Sequence, residues 1–174
     1  MIRGERSLTF RPFLATTERM KKLILTLAAA CLVSPAIAQE KKIELTGNDQ
    51  MQYSTKAIEV TAGEKVVLTF KHIGQLPKTA MGHNVVILKP VDPAKPETAL
   101  PAFAMKAMQA AKTEYLPEDE ASKARIVAHT KLLGGGESDT ITFTAPTEPG
   151  AYPYLCTFPG HFAIMQGVMT VKAK

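Results

Sequence analysis

The sequence has no tryptophan, only two cysteines and only four histidines in 174 residues. Two cysteines exclude a miniprotein framed by disulfides, and a chain of this length buries a core of its own as one domain. Long apolar runs are missing as well. The longest spans Leu23 to Val33, well short of the ~20 residues that a membrane-spanning helix needs. The formal charge of +5 is not spread along the chain. Residues 1–38 carry six basic and two acidic side chains, leaving 15 basic against 14 acidic over residues 39–174. The larger part therefore has no electrostatic footprint for nucleic acid. An apolar content of 45% excludes a disordered polyelectrolyte.

What is present first is a leader. Lys21 and Lys22 precede the apolar run, and Ala36-Ile37-Ala38 supplies a small-x-small cleavage pattern. Met20 to Ala38 thus reads as an export signal within a leader of residues 1–38, with Gln39 as the new N-terminus of a domain over 39–174. Met1 to Arg19 shows no helical or strand periodicity, as an over-extended start before Met20 would. Ala28-Ala29-Ala30-Cys31 allows a lipid-attachment reading, but the usual bulky aliphatic residue three before the cysteine is missing. After cleavage Cys156 is the one remaining thiol, which cannot form an internal disulfide and needs another explanation.

Short strand-like runs dominate the rest. Ile43 and Leu45, Ile58 and Val60, and Ile141 and Phe143 alternate with polar residues. Val66 to Phe70, Ala151 to Cys156 and Gly167 to Lys172 add further strands, and His83 to Leu88 reads as a strand either buried on both faces or crossing the core. About seven strands split by Gly, Pro and Asn turns predict an all-β, antiparallel sandwich or barrel. One segment departs. After the Pro-rich stretch 89–96, apolar residues Leu100, Phe103, Ala104, Ala107, Met108 and Ala111 predict a helical flap over 98–112. Thr98 is the expected cap, Pro101 lies in the first turn, and Met105 and Met108 are expected as core filler. Residues 115–123 read as an acidic loop.

The chemistry concentrates in Cys156-Thr157-Phe158-Pro159-Gly160-His161-Phe162-Ala163-Ile164-Met165. Thiolate, imidazole and thioether fall within ten residues, in a tight Gly- and Pro-containing turn between the last two strands. Each alone is ordinary core or surface material. Together they suit a soft metal: thiolate with imidazole favours copper or zinc, and the weak thioether favours copper. A blue-copper geometry needs a second histidine, for which His83 is the best candidate because Gly82 lets backbone approach a metal closely.

These residues resemble the azurin family of cupredoxins. Cys156 to Met165 resembles its ligand loop, and Met81-Gly82-His83-Asn84 its upstream ligand turn. The likeness extends to Gly47-Asn48-Asp49-Gln50-Met51-Gln52, to His72-Ile73-Gly74-Gln75-Leu76-Pro77-Lys78 and to Val127-Ala128-His129-Thr130-Lys131. The resemblance implies a Greek-key β-sandwich holding one type 1 copper. His83, Cys156 and His161 would form a trigonal plane, Met165 a long axial contact and the Gly82 carbonyl a weaker one opposite. Backbone N–H groups of Asn84 and Phe158 would bond the sulfur, and the Asn84 side chain would tie the two ligand turns together. An apolar docking patch would comprise Met51, Leu76, Ala80, Met81, Phe158, Pro159, Ala163 and Ile164. His72 falls where the family carries a partly buried histidine coupled to the metal site, whereas His129 reads as a solvated side chain.

The implied function is a monomeric electron carrier, not an enzyme, in the periplasm of a Gram-negative bacterium, serving redox proteins such as c-type cytochromes. Copper handling is the alternative. A copper redox enzyme would need a second centre, for which only His72 and His129 remain. Three departures accompany the resemblance. Lys41 and Glu64 stand where azurins carry a disulfide, Val85 stands where a core Trp is typical, and residues 89–116 do not follow the family closely.

Overall fold

The computed structural model describes residues 40–174. The expected cleavage site, Cys31 and the start before Met20 lie outside the described residues. Among the described residues nine strands form two sheets. One orders β2 (Gln52–Tyr53), β1 (Lys41–Asn48), β4 (Lys65–His72) and β7 (Ser138–Thr144). The other orders β3 (Ala57–Thr61), β9 (Gln166–Lys172), β8 (Gly150–Leu155), β5 (Val86–Leu88) and β6 (Ile126–His129). The sheets pack as a sandwich, and period-2 alternation sets which side chains meet inside. On β4, Val66, Leu68, Phe70 and His72 are buried while the residues between them are partly or fully exposed.

The expectation of a purely antiparallel sandwich is corrected. β1 runs parallel to β4 from the Lys41–Val66 pair to Gly47–His72, and β3 runs parallel to β9. Alternation reports which face is buried, not strand direction, so both pairings read alike in sequence. The two-residue β2 and the short β6 lacked a distinct signal.

The apolar run at 83–88 has a structural cause. Ile87 and Tyr154 face the main core, while Val86, Leu88 and Leu155 turn the other way, under α2 (Leu100–Met108). Strands β5 and β8 are thus covered on both faces. Only Val86–Leu88 is strand; His83 stands before it in an isolated bridge with Leu133.

Helix α2 buries Leu100, Phe103, Ala104 and Ala107, with Pro101 in its first turn. Its ends differ from expectation. The cap position is Ala99, and the Thr98 hydroxyl instead donates to the Lys95 carbonyl, closing the preceding 3-10 turn. Met105 and Met108 are not core filler, being 60% and 42% exposed. The four residues named above already supply the stripe that covers β5 and β8, which leaves both methionines on the outer side. Ala111 is exposed as well. Within the acidic segment lies one helical turn, α3 (Glu120–Lys123), capped by the Asp119 side chain accepting from Ser122 N–H at 3.2 Å. One turn is too short to show periodicity.

Val85 is fully buried in the main core with Tyr53, Phe70 and Tyr154. Tyr53 meets Phe70 edge-on at 5.9 Å and Tyr154 at 5.5 Å, so aromatic volume lies around the small residue. The flap depends on Phe103 in the same way, because it is the largest side chain that α2 buries. Phe103→Ala should cost about 3 kcal/mol in chemical denaturation and open residues 90–115 to protease. Unchanged stability and an unchanged cleavage pattern would show that the flap is held by other contacts.

Candidate metal centre

Two segments 73 residues apart in sequence meet beyond the ends of β5 and β8. The first is α1 (Lys78–Met81) followed by Gly82, His83 and Asn84. His83 is held through its backbone, its N–H donating to Leu133 at 2.9 Å and its carbonyl accepting from Leu133 N–H at 2.7 Å. Gly82 is required by space. A Cβ there would lie 2.7 Å from the Lys78 carbonyl oxygen and 2.9 Å from the Phe158 ring. The second segment leaves β8 at Cys156 and returns at β9. Cys156 N–H donates to the Met165 carbonyl at 3.0 Å, and Met165 N–H donates to the His161 carbonyl at 2.8 Å, which closes the loop.

Asn84 joins the two. Its Oδ1 accepts from Thr157 N–H at 2.9 Å and its Nδ2 donates to Thr157 Oγ1 at 2.8 Å, all within the core. Backbone N–H groups of Asn84 and Phe158 are directed at the Cys156 sulfur.

Three donor atoms converge. Cys156 Sγ lies 3.8 Å from His83 Nδ1 and 3.6 Å from His161 Nδ1, and the two nitrogens are 3.2 Å apart. A point equidistant from atoms so spaced lies about 2 Å from each, a metal–nitrogen or metal–sulfur bond length. The Gly82 carbonyl oxygen is 3.7 Å from the sulfur. Met165 is fully buried in the same core cluster as Cys156, its methyl against Gly47, where a Cβ would come within 2.8 Å. Gly47 is therefore small because Met165 occupies its side-chain space.

The electrostatics fit a soft cation. Burial pushes the Cys156 thiol up to about 12, against the pull of the two backbone N–H groups. Burial, then repulsion from His83 and His72, pushes His161 down to about 4. His83 is lowered chiefly by burial. Near neutral pH, without metal, the pocket thus holds a neutral thiol and two neutral imidazoles, and metal binding must expel the thiol proton. The His83 tautomer follows from its neighbour. Nε2 lies 2.9 Å from the Asn48 carbonyl oxygen, which can only accept, so Nε2 carries the proton and the Nδ1 lone pair faces the pocket.

His72 is fully buried behind His83, ring centroids 4.3 Å apart. Its Nε2 stands 3.3 Å from Asp49 Oδ1, near enough for an ion pair yet poorly aligned, so neither ring nitrogen has a hydrogen-bond partner. His129 is exposed on β6, away from this group. Two contributors were not foreseen from sequence, the Asn48 carbonyl and the Thr157 side chain. A backbone carbonyl leaves no mark in a sequence, and Thr157 gains its role only from a partner 73 residues away.

Thiol, two imidazoles and a buried thioether, with no carboxylate among them, are the donor set of a type 1 copper site. The copper-binding plastocyanin/azurin family model matches residues 39–172, and the chain belongs to that family. Azurin of Pseudomonas aeruginosa is 36% identical over 156 residues, 88% of this chain and 99% of its own length. Azurin of Bordetella pertussis is 39% identical over 143 residues, covering 80% and 89%. The solved structure of dithionite-reduced auracyanin from Roseiflexus castenholzii superposes with a TM-score of 0.64 at 38% identity, over 75% of this chain and 96% of that one. The protein is an azurin-like blue copper protein whose cofactor is copper.

The pH dependence of the metal-free fold follows from His161. Its pKa near 4 lies below the usual histidine value near 6.5, so the unfolded chain takes up a proton that the native pocket refuses. The resulting stability is complete above about pH 6.5 and is lost as pH falls toward 4, by up to about 3 kcal/mol. Urea titrations of metal-free wild type and His161→Gln between pH 7.5 and 4.5 should show the steeper loss in wild type. Parallel curves would mean that His161 takes up protons freely in the fold.

Proposed function

We propose that this protein is an outer-sphere carrier of single electrons between redox proteins in the periplasm of a Gram-negative bacterium, acting as a monomer and not as an enzyme. Bound copper supplies the one-electron Cu(II)/Cu(I) couple. In this reading His83, Cys156 and His161 would hold it, with Met165 and the Gly82 carbonyl as weaker donors. The Asn84 and Phe158 N–H groups steady the thiolate charge, and the fixed loop keeps the ligands from moving as charge changes.

The observation that carries this reading is the burial pattern. His83 and Cys156 have no exposed surface, whereas His161 is 4% exposed and lies in the turn beside the exposed residues Pro159, Ala163 and Ile164. The site offers one ligand edge to a partner and no open position to a substrate. Copper delivery would need an exchangeable thiol, which burial opposes. His83, Cys156 and His161 are the one cluster of metal-holding His, Cys, Asp or Glu groups found among the described residues, which disfavours an enzyme with a second centre.

The proposed docking patch is Met51, Leu76, Ala80, Met81, Phe158, Pro159, Ala163 and Ile164. Leu76 and Ile164 are 41% and 47% exposed, enough apolar surface for brief contact with a redox protein such as a c-type cytochrome. The periplasm follows from the leader reading. Among the described residues no helix is long and apolar enough to cross a membrane.

Copper-loaded wild type should absorb intensely in the visible, bleach on reduction and recover on oxidation. Cys156→Ser should lose that band even where some copper stays bound. A serine variant as blue as wild type would end the assignment of Cys156 as the thiolate ligand.

Docking is tested by Met81→Lys. The new charge must be desolvated at the contact, so electron exchange with a partner should slow about tenfold, the factor for ~1.4 kcal/mol, with little change in the copper spectrum. With a net charge of +1 over residues 39–174, exchange should depend only modestly on salt. Stopped-flow rates that fall steeply with salt and ignore Met81→Lys would place docking on another face.

A further inference from the structure

One buried polar group bears on the ligand turns without being a ligand, the hydroxyl of Tyr53. Tyr53 ends β2 and is almost fully buried, its ring wedged between Phe70 and Tyr154. Its O–H donates to the Asn84 carbonyl at 2.5 Å. The same peptide unit is gripped from its other side, where Val85 N–H donates to Thr130 Oγ1 at 3.0 Å. Thr130 N–H in turn donates to the Val85 carbonyl at 3.0 Å. Both polar groups of the Asn84–Val85 peptide are therefore held, which fixes the plane from which the Asn84 side chain and N–H depart.

We propose that Tyr53 is a positioning residue of the copper centre, its hydroxyl holding Asn84 so that the Asn84 N–H stays aimed at the Cys156 sulfur. An N–H donor there steadies negative charge on sulfur. Slackening the donor leaves sulfur more electron-rich, which favours Cu(II) and lowers the reduction potential. The same slackening loosens the bridge to Thr157, since one residue makes both contacts. The electrochemical consequence rests on the electron-carrier reading; the mechanical one does not.

Tyr154 supplies the control. Its hydroxyl also donates to a backbone carbonyl, that of Thr55 at 2.9 Å, which belongs to neither ligand turn. Tyr53→Phe and Tyr154→Phe each remove one hydroxyl from one buried ring and keep the volume, so both should fold. In the metal-free proteins, amide hydrogen exchange at Asn84 and Thr157 should quicken about tenfold in Tyr53→Phe alone. In the copper-loaded proteins, voltammetry should show a lower potential in Tyr53→Phe and the wild-type value in Tyr154→Phe. Wild-type exchange at Asn84 and Thr157 in Tyr53→Phe overturns the inference, as does an equal shift of potential in the two variants. If wild type itself gave no reversible couple, the carrier reading would fall, and exchange at Asn84 would decide the role of Tyr53 alone.

Discussion

The metal end of this fold depends on one side-chain amide. Asn84 makes two hydrogen bonds to Thr157, 73 residues further along the chain, and both lie in the core. The β5–β8 pairing, with Val86 opposite Leu155, brings Asn84 opposite Thr157 just beyond the strand ends, and there the backbone ladder gives way to the amide. Removing it would leave the Thr157 N–H and hydroxyl buried without partners, at roughly 1–3 kcal/mol each. It would also free His83 from Cys156, whose donor atoms the bridge keeps 3.8 Å apart.

Around that bridge the chain assembles groups that are costly to bury. A thiol and three histidines share one small volume, and one of the histidines, His72, finds no hydrogen bond for either ring nitrogen. The sandwich offsets this with β4, β5 and β8, which place Leu68, Phe70, Ile87 and Tyr154 beneath the site. Stiffness is the functional result. In the proposed role, backbone bonds at His83, Cys156 and Met165 would hold the ligands against moving toward the geometry that either copper oxidation state prefers, so that little would reorganise on electron transfer. The flap joins this frame through the Tyr115 ring, edge-on to Phe158 at 5.3 Å, while Phe158 packs on His161 at 4.7 Å. An exposed Lys78–Glu114 ion pair at 2.8 Å adds a weak tie.

Much of this was legible in the residues. Cys156, His161 and Met165 stand close in one loop, and Gly82 marked His83 as the partner. Alternation located β1, β3 and β7 because each turns one face to the core, buried in β3 and partly buried in β7. The failures share a physical origin. Parallel pairing of β1 with β4 leaves the same alternation as antiparallel pairing. Met105 and Met108 carried apolar character without a surface to meet, because Phe103, Leu100 and two alanines already fill the contact with the sheet. The hydrogen bonds from His83 to the Asn48 carbonyl and from Tyr53 to the Asn84 carbonyl involve main-chain atoms, which every residue owns alike. Such contacts exist only once the fold has brought distant backbone together.

Without help from metal, the protein already holds the three donors at bonding geometry. The decisive comparison is between crystal structures of the metal-free and copper-loaded forms at matched pH. Cys156 Sγ, His83 Nδ1 and His161 Nδ1 should keep their mutual spacings to within a few tenths of an ångström, with both Asn84–Thr157 bonds intact in each form. A metal-free structure in which the loop from Cys156 to Met165 opens, or in which either imidazole swings away from the sulfur, would contradict it.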